Sequence, residues 1–80
     1  MNPLTLTPDV LPNMISRLTP RQLEVLELLA QGYTTKDMGG LLSISGETVK
    51  RHIYRACDRL EVENRIQLVV LFTIWKVTNE

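Results

Sequence analysis

The chain has 80 residues, 44% of them hydrophobic and 22% charged, and nine Lys or Arg residues balance nine Asp or Glu residues. This length supports one small core and excludes a multidomain protein, and the single cysteine excludes an internal disulfide and favours a reducing cytoplasm. The N-terminus has no basic segment followed by an apolar run, and no apolar run reaches roughly 18 residues, so neither a signal peptide nor a membrane span is predicted.

Residues 1–17 differ from the rest of the chain. Prolines at positions 3, 8 and 12 prevent a long helix there, which predicts an N-terminal arm before a domain at 18–77. The arm is too apolar for a simple linker, and we expect some of its side chains to fold back on the domain or on a partner. These side chains are Leu4, Leu6, Val10, Leu11, Met14 and Ile15.

The first helix is predicted at about 20–31. Thr19 and Gln22 have the spacing of a capping box, and Pro20 occupies the first helical position, where a missing N–H costs nothing. Gly32 follows, and we expect it to end this helix by adopting the left-handed backbone conformation.

The second helix is predicted at about 35–42, with Thr34 as its cap. Its apolar face is formed by Met38, Leu41 and Leu42. A short break follows, where Ile44 is expected to fill the corner before the next helix. Gly39 is expected where the two helices press closest, so that a side chain larger than Ala would hold them apart.

The third helix is predicted at about 46–60, and Ser45 is expected to cap it. Its apolar residues fall on one stripe of a 3.6-residue period, which should be buried: Val49, Ile53, Ala56, Cys57 and Leu60. The opposite face is basic and polar. Four Lys or Arg residues against two acidic ones give this helix a local charge of about +2 in a neutral chain.

A short helix, a tight break and an amphipathic second helix have the shape of a helix-turn-helix, which places its second helix in the DNA major groove. These residues also carry a family resemblance. The chain from Leu18 to about Val70 resembles the DNA-binding domain of the LuxR/FixJ family, and its short length favours the GerE-like stand-alone regulators. The matching strings are LTPRQLEVLELLAQG (18–32), TTKDM (34–38), TVKRH (48–52) preceded by Leu42, Ile44 and Ser45, and RLEVENRIQLV (59–69). The resemblance implies an all-α, four-helix domain whose third helix enters the major groove and whose fourth helix often forms the dimer.

The fourth helix is predicted at about 65–76, after Asn64, and is apolar on nearly every side. The domain core can cover only one side, so an exposed patch remains, and such patches mark association. Either a symmetric dimer or the arm of the same chain covers it, and a dimer suits palindromic DNA. The predicted interface residues are Leu68, Leu71, Phe72 and Trp75.

The resemblance places Lys50, Arg51 and Tyr54 at the positions that meet DNA bases, the alternative being a merely solvated face. Lys and Arg can donate to guanine O6 and N7. Phosphate contacts are expected from residues farther along the same helix and from helix starts, where free N–H groups suit an anion. These are Thr34, Thr35, Lys36, Thr48, Arg55 and Arg59. For the threonines, helix capping alone is the alternative.

Three other residues are of types that act as catalysts or metal ligands in many proteins, but they are expected to be structural here. His52 is predicted to be half-buried or to contact a phosphate, and Cys57 to be a small core residue. The resemblance suggests that Glu24 caps or pairs within the fold. With one His and one Cys there is no zinc site, and no cofactor is predicted. No catalytic constellation is present, so an enzyme is not expected.

Two functions remain open. The first is a sequence-specific transcription regulator that binds double-stranded DNA as a homodimer, with RNA polymerase as a further candidate partner, in the bacterial cytoplasm at the nucleoid. The second is an interaction module that heterodimerises with a related regulator and binds DNA weakly. The neutral total charge and Gly39-Gly40, in place of the family's usual Ala and a larger residue, favour the second.

Overall fold

A computed structural model describes residues 15–78. Within that range it contains four helices and no strand: α1 Pro20–Ala30, α2 Thr35–Leu42, α3 Gly46–Leu60 and α4 Arg65–Thr78. The predicted all-α fold is confirmed, although α1 ends at Ala30 rather than at 31 and α4 continues to Thr78 rather than to 76. Most of the predicted arm lies outside the described residues, but Ile15 is buried in the core, so the packed domain begins upstream of Leu18.

The helix starts follow the sequence signals. The Thr19 side chain accepts a hydrogen bond from the N–H of Gln22 at 3.1 Å, and the Thr19 N–H donates to the Gln22 side chain at 3.0 Å, which completes the capping box. Gly32 adopts φ +92°, the left-handed conformation that ends α1. The other three helix starts are capped in a similar way. The side-chain oxygens of Thr34, Ser45 and Asn64 each accept a hydrogen bond from an N–H group in the first turn.

Helix α3 is central to the fold and packs against each of the other three helices. The entire predicted stripe of α3, from Val49 to Leu60, is buried. Helix α1 also contacts all the others, whereas α2 and α4 do not touch each other. They therefore lie on different sides of the α1–α3 pair, and the outward face of α3 remains open.

The turn between α2 and α3 depends on Gly39. A Cβ atom at this position would lie 2.6 Å from the carbonyl oxygen of Ile44, so even alanine is too large, which corrects the expectation that only larger side chains would be. The N–H of Ile44 donates to the Gly39 oxygen at 2.9 Å, and Ser43 is left-handed with φ 58°. The backbone of α2 thus presses directly on the turn that leads into α3.

The predicted apolar face of α2 needs one correction. Met38 is fully buried and Leu42 packs against the core, but Leu41 is 59% exposed. Helix α2 contacts both α3 and α1, and Leu41 lies on the part of its surface that neither covers.

Helix α4 is fixed against α1 by a contact between residues far apart in sequence. The ammonium of Lys76 lies 2.9 Å from a carboxylate oxygen of Glu27 and 5.8 Å from the centre of the Phe72 ring. Phe72 in turn stacks with Trp75, with ring centroids 5.8 Å apart. These contacts combine an ion pair, a cation–π interaction and an aromatic pair.

Candidate nucleic-acid interface

The starts of α2 and α3 lie side by side. A Cβ built on Gly46, the first residue of α3, would lie 3.8 Å from the carbonyl oxygen of Thr35. Thr34 and Lys36 are exposed at this edge, and Thr35 is half-buried. Two helix starts therefore bring free N–H groups, a hydroxyl and an ammonium to one edge, a composition that suits a phosphate.

The outward face of α3 carries the predicted base-contact residues. Tyr54 is 62% exposed, Arg51 is exposed and Lys50 is half-buried. The Lys50 ammonium lies 3.4 Å from a carboxylate oxygen of Glu47 in the preceding turn. The same surface thus holds donors that could meet guanine and one carboxylate that would oppose a phosphate.

Thr48 is engaged within the helix start. Its hydroxyl and that of Ser45 are 2.8 Å apart, and its N–H donates to the Ser45 side chain at 3.0 Å. Ser45 is therefore the cap and Thr48 the residue whose N–H it accepts, and contact of Thr48 with a phosphate stays a prediction.

An open cleft separates the start of α1 from the second half of α3. It encloses about 440 Å³, with Thr19 and Gln22 on one side and Arg55, Asp58 and Arg59 on the other. The two predicted phosphate-contact arginines therefore line one cleft, with an acidic residue beside them. The cleft is open and polar rather than an enclosed apolar pocket of the kind that small molecules prefer.

His52 is half-buried, as predicted. Burial lowers the pKa of its imidazole, and the charges of Arg21, Arg55 and Arg51 lower it further. Arg21 belongs to α1 and forms an ion pair with Glu24 at 3.1 Å, which confirms the expectation that Glu24 pairs within the fold.

Cys57 is buried in the α3 stripe, as predicted for a small core residue. Burial raises the pKa of its thiol, Asp58 raises it further, and Arg65 opposes part of that effect. Residues 15–78 contain no group of three or more His, Cys, Asp or Glu side chains that could hold a metal ion. Within the same range, every helix is too short or too polar to cross a membrane.

Comparison of the sequence with known protein families identifies a match that covers these helices. The pattern of the family described as "Bacterial regulatory proteins, luxR family" matches residues 16–72. The chain belongs to the LuxR family. The predicted resemblance is thereby confirmed over a span that includes all of α1 to α3 and most of α4.

Individual LuxR-family proteins match the same region. The chain is 49% identical over 53 residues to the spore germination protein GerE of Bacillus subtilis, covering 66% of this chain and 72% of GerE. It is 44% identical over 57 residues to the nitrate/nitrite response regulator protein NarP of Escherichia coli, covering 71% of this chain and 26% of NarP. It is 40% identical over 65 residues to the transcriptional regulatory protein DesR of Bacillus subtilis, covering 78% of this chain and 33% of DesR. The chain thus spans about a third or less of two of these relatives, and no solved structure matches it.

The LuxR-type α4 presents a different surface from the one predicted. Leu68, Leu71 and Phe72 are only 1%, 2% and 1% exposed, so they belong to the core of the single chain. Trp75 is half-buried against Phe72. The exposed apolar residues are instead Ile66, Val70 and Val77, at 72%, 42% and 70% exposure.

Sequence reasoning also missed Arg21. Nothing in its local pattern distinguishes it from any charged residue in a first helical turn, and its proximity to His52 arises only because α1 packs across α3. The effect of the Arg21 charge on the pKa of His52 is therefore visible only in three dimensions.

Proposed function

We propose that this chain is a sequence-specific DNA-binding regulator of transcription that acts as a dimer, with α3 in the major groove. The observation that carries the proposal is the division of α3 into two faces. Its stripe from Val49 to Leu60 is buried, while Arg51 and Tyr54 project from the opposite side beside Lys50. A helix held rigidly by its apolar face can present donors to base edges at fixed positions.

Phosphate contacts support the same orientation. The paired starts of α2 and α3 lie at one end of the exposed face, and Arg55 and Arg59 line the cleft toward the other end. Contacts at both ends would hold α3 in register along the groove, since backbone contacts position a protein and base contacts give it specificity.

The dimer is assigned to the outer face of α4. Ile66, Val70 and Val77 are spaced by four and seven residues, which places them on one side of the helix. Exposed apolar residues in one stripe favour burial by a second copy through two-fold symmetry. Because α2 does not touch α4, a partner on this face leaves the edge formed by α2 and α3 free.

The test is selection of binding sequences from a random duplex pool, together with the mass of the protein in solution. A dimer that enriches a palindrome is the expected result, and a protein that enriches no sequence would contradict the proposal. Lys50→Ala and Arg51→Ala should each reduce discrimination at the base that the side chain reads by about 1–3 kcal/mol. Gln31→Ala is the control, because it changes an exposed side chain at the end of α1, beside Lys76 and Val77 of α4, and should leave sequence preference unchanged.

A second candidate function has specific support. The Glu47 carboxylate beside Lys50 and the Asp58 side chain in the arginine cleft both weaken the attraction of α3 for DNA. An interaction module that heterodimerises with a related regulator through α4 needs no strong DNA contact. A shallow dependence of DNA affinity on salt would favour this candidate, whereas several phosphate contacts produce a steep one. Under either function, RNA polymerase and a location at the bacterial nucleoid remain predictions.

A further inference from the structure

Glu47 lies on the exposed stripe of α3 that holds the three predicted base-contact residues. Lys50, Arg51 and Tyr54 follow it at three, four and seven positions, which is one face of a helix with a 3.6-residue period. Glu47 also belongs to the first turn of α3. Residues near the start of a recognition helix contact base edges, so the carboxylate lies where a side chain can reach a base.

The neighbouring residues of that turn are not available for the same role. Gly46 has no side chain, and the hydroxyl of Thr48 lies 2.8 Å from that of Ser45. The Glu47 side chain, in contrast, is 82% exposed, and its carboxylate lies 3.4 Å from the ammonium of Lys50, whose side chain is 42% exposed. The core holds neither member of this ion pair, so both can turn toward a ligand while α3 stays folded.

The four bases differ in what they offer a carboxylate in the major groove. A carboxylate only accepts hydrogen bonds, and guanine and thymine present no donor there. Adenine presents a donor beside the acceptor N7, whereas cytosine presents the N4 amino group alone. A carboxylate on the outer face of α3 therefore favours cytosine over the other three bases.

We propose that Glu47 and Lys50 together read one G·C base pair, with the Glu47 carboxylate accepting a hydrogen bond from cytosine N4 and the Lys50 ammonium donating one to guanine O6. A Watson–Crick hydrogen bond joins O6 to N4, so these two atoms lie about 3 Å apart. The two charged groups of the protein lie 3.4 Å apart, so their spacing matches that of the two base atoms. The inference rests on the proposed function and adds Glu47 to the residues that determine its specificity.

The same carboxylate should lower affinity for DNA in general. Its charge opposes the phosphates whichever sequence α3 meets, because the backbone is the same for every sequence. The hydrogen bond to cytosine offsets this repulsion only where the G·C pair is in place. Removing the carboxylate of Glu47 should therefore tighten binding to most duplexes and lower the ratio of specific to non-specific affinity.

The first test compares wild-type protein with Glu47→Ala on a duplex selected by the wild-type protein from a random pool. In a second duplex, 2-pyrimidinone replaces the cytosine of the base pair whose preference Lys50→Ala loses. This base lacks only the N4 amino group, and the weakened base pairing is common to both proteins. Wild-type protein should lose affinity about tenfold, and Glu47→Ala should bind the two duplexes equally. Equal losses by the two proteins, or no loss by the wild type, would overturn the inference.

Two further variants separate this contact from a general effect of charge. Glu47→Asp keeps the charge and shortens the side chain, so it should lose the preference for cytosine without a gain in general affinity. Asp58→Asn removes an exposed carboxylate from the other half of α3, where it lines the cleft toward α1, and should strengthen binding to all duplexes alike. Circular dichroism checks that each variant keeps its helices. A loss of cytosine preference in Asp58→Asn as large as in Glu47→Ala would overturn the inference.

The outcomes separate this inference from the proposed function. A wild-type protein that enriches a sequence in which no base pair depends on Glu47 would overturn the joint recognition of a G·C pair and leave the DNA-binding function intact. A wild-type protein that enriches no sequence would overturn both.

Discussion

The adjacent glycines of α2 offer a controlled test of how this helix-turn-helix is held together. A Cβ on Gly39 would lie 2.6 Å from the Ile44 oxygen and 3.3 Å from the nitrogen of Gly46, whereas a Cβ on Gly40 would meet no atom within 4 Å. Both residues are inside the same helix. Gly39→Ala and Gly40→Ala therefore add the same methyl group to two different environments.

This geometry determines the expected change in the free energy of unfolding for each variant. Replacing glycine by alanine in a helix interior stabilises by about 1 kcal/mol, and this gain is shared by both variants. Gly39→Ala must also displace backbone atoms of the turn, and overpacking of this kind costs about 1–3 kcal/mol. We expect Gly40→Ala to be more stable than wild type by about 1 kcal/mol, and Gly39→Ala to fall below Gly40→Ala by about 1–3 kcal/mol.

Urea denaturation followed by circular dichroism measures this difference directly. For a small domain with a denaturant slope near 1 kcal/mol/M, the two midpoints should differ by about 1–3 M. Equal stabilisation by the two substitutions would refute the close contact between α2 and the turn. Destabilisation by Gly40→Ala would show that a neighbour covers the outer side of α2.

Three further predictions concern α4, the DNA face and pH. Ile66→Asp with Val70→Asp should give a monomer by sedimentation that keeps a native circular-dichroism spectrum, since both side chains are exposed within the single chain; a dimer that persists would place the interface elsewhere. Glu47→Gln should strengthen DNA binding, because it removes a carboxylate near phosphates and frees Lys50; unchanged or weaker binding in a fluorescence titration would argue against contact at the start of α3. The pKa of His52 is lowered in the folded protein, so the unfolded chain binds the proton more tightly and stability should decline as pH falls below about 6.5. His52→Gln should lessen that decline in thermal melts at several pH values, and a melt profile identical to wild type would contradict the assignment.

Local signals in the sequence predicted the helices well. The caps at Thr19, Thr34 and Ser45 work because a side-chain oxygen and a first-turn N–H are separated by only three residues. The buried stripe of α3 could be predicted equally well, because a 3.6-residue period alone determines which side chains share a face. Features of this kind require no knowledge of distant parts of the chain.

Packing between helices was predicted less well. The apolar side chains of α4 point in nearly every direction, so composition could not say which of them the core would bury. Leu68, Leu71 and Phe72, which were predicted at a dimer interface, are buried within the single chain. Leu41 was likewise expected on the buried face of α2 and is exposed. Hydrophobicity favours burial of any such residue, and only the positions of neighbouring helices decide which residues are covered.

The sequence by itself thus determined the all-α class, the helix starts, the LuxR-type pattern and the basic outer face of α3, because each depends on residues close together in the chain. The tertiary structure alone decided the contact of Gly39 with the turn, the effect of the Arg21 charge on the pKa of His52 and the exposed stripe that begins at Ile66. These features depend on how α1, α2 and α4 pack around α3, and that packing is a property of the whole set of side chains rather than of any one segment.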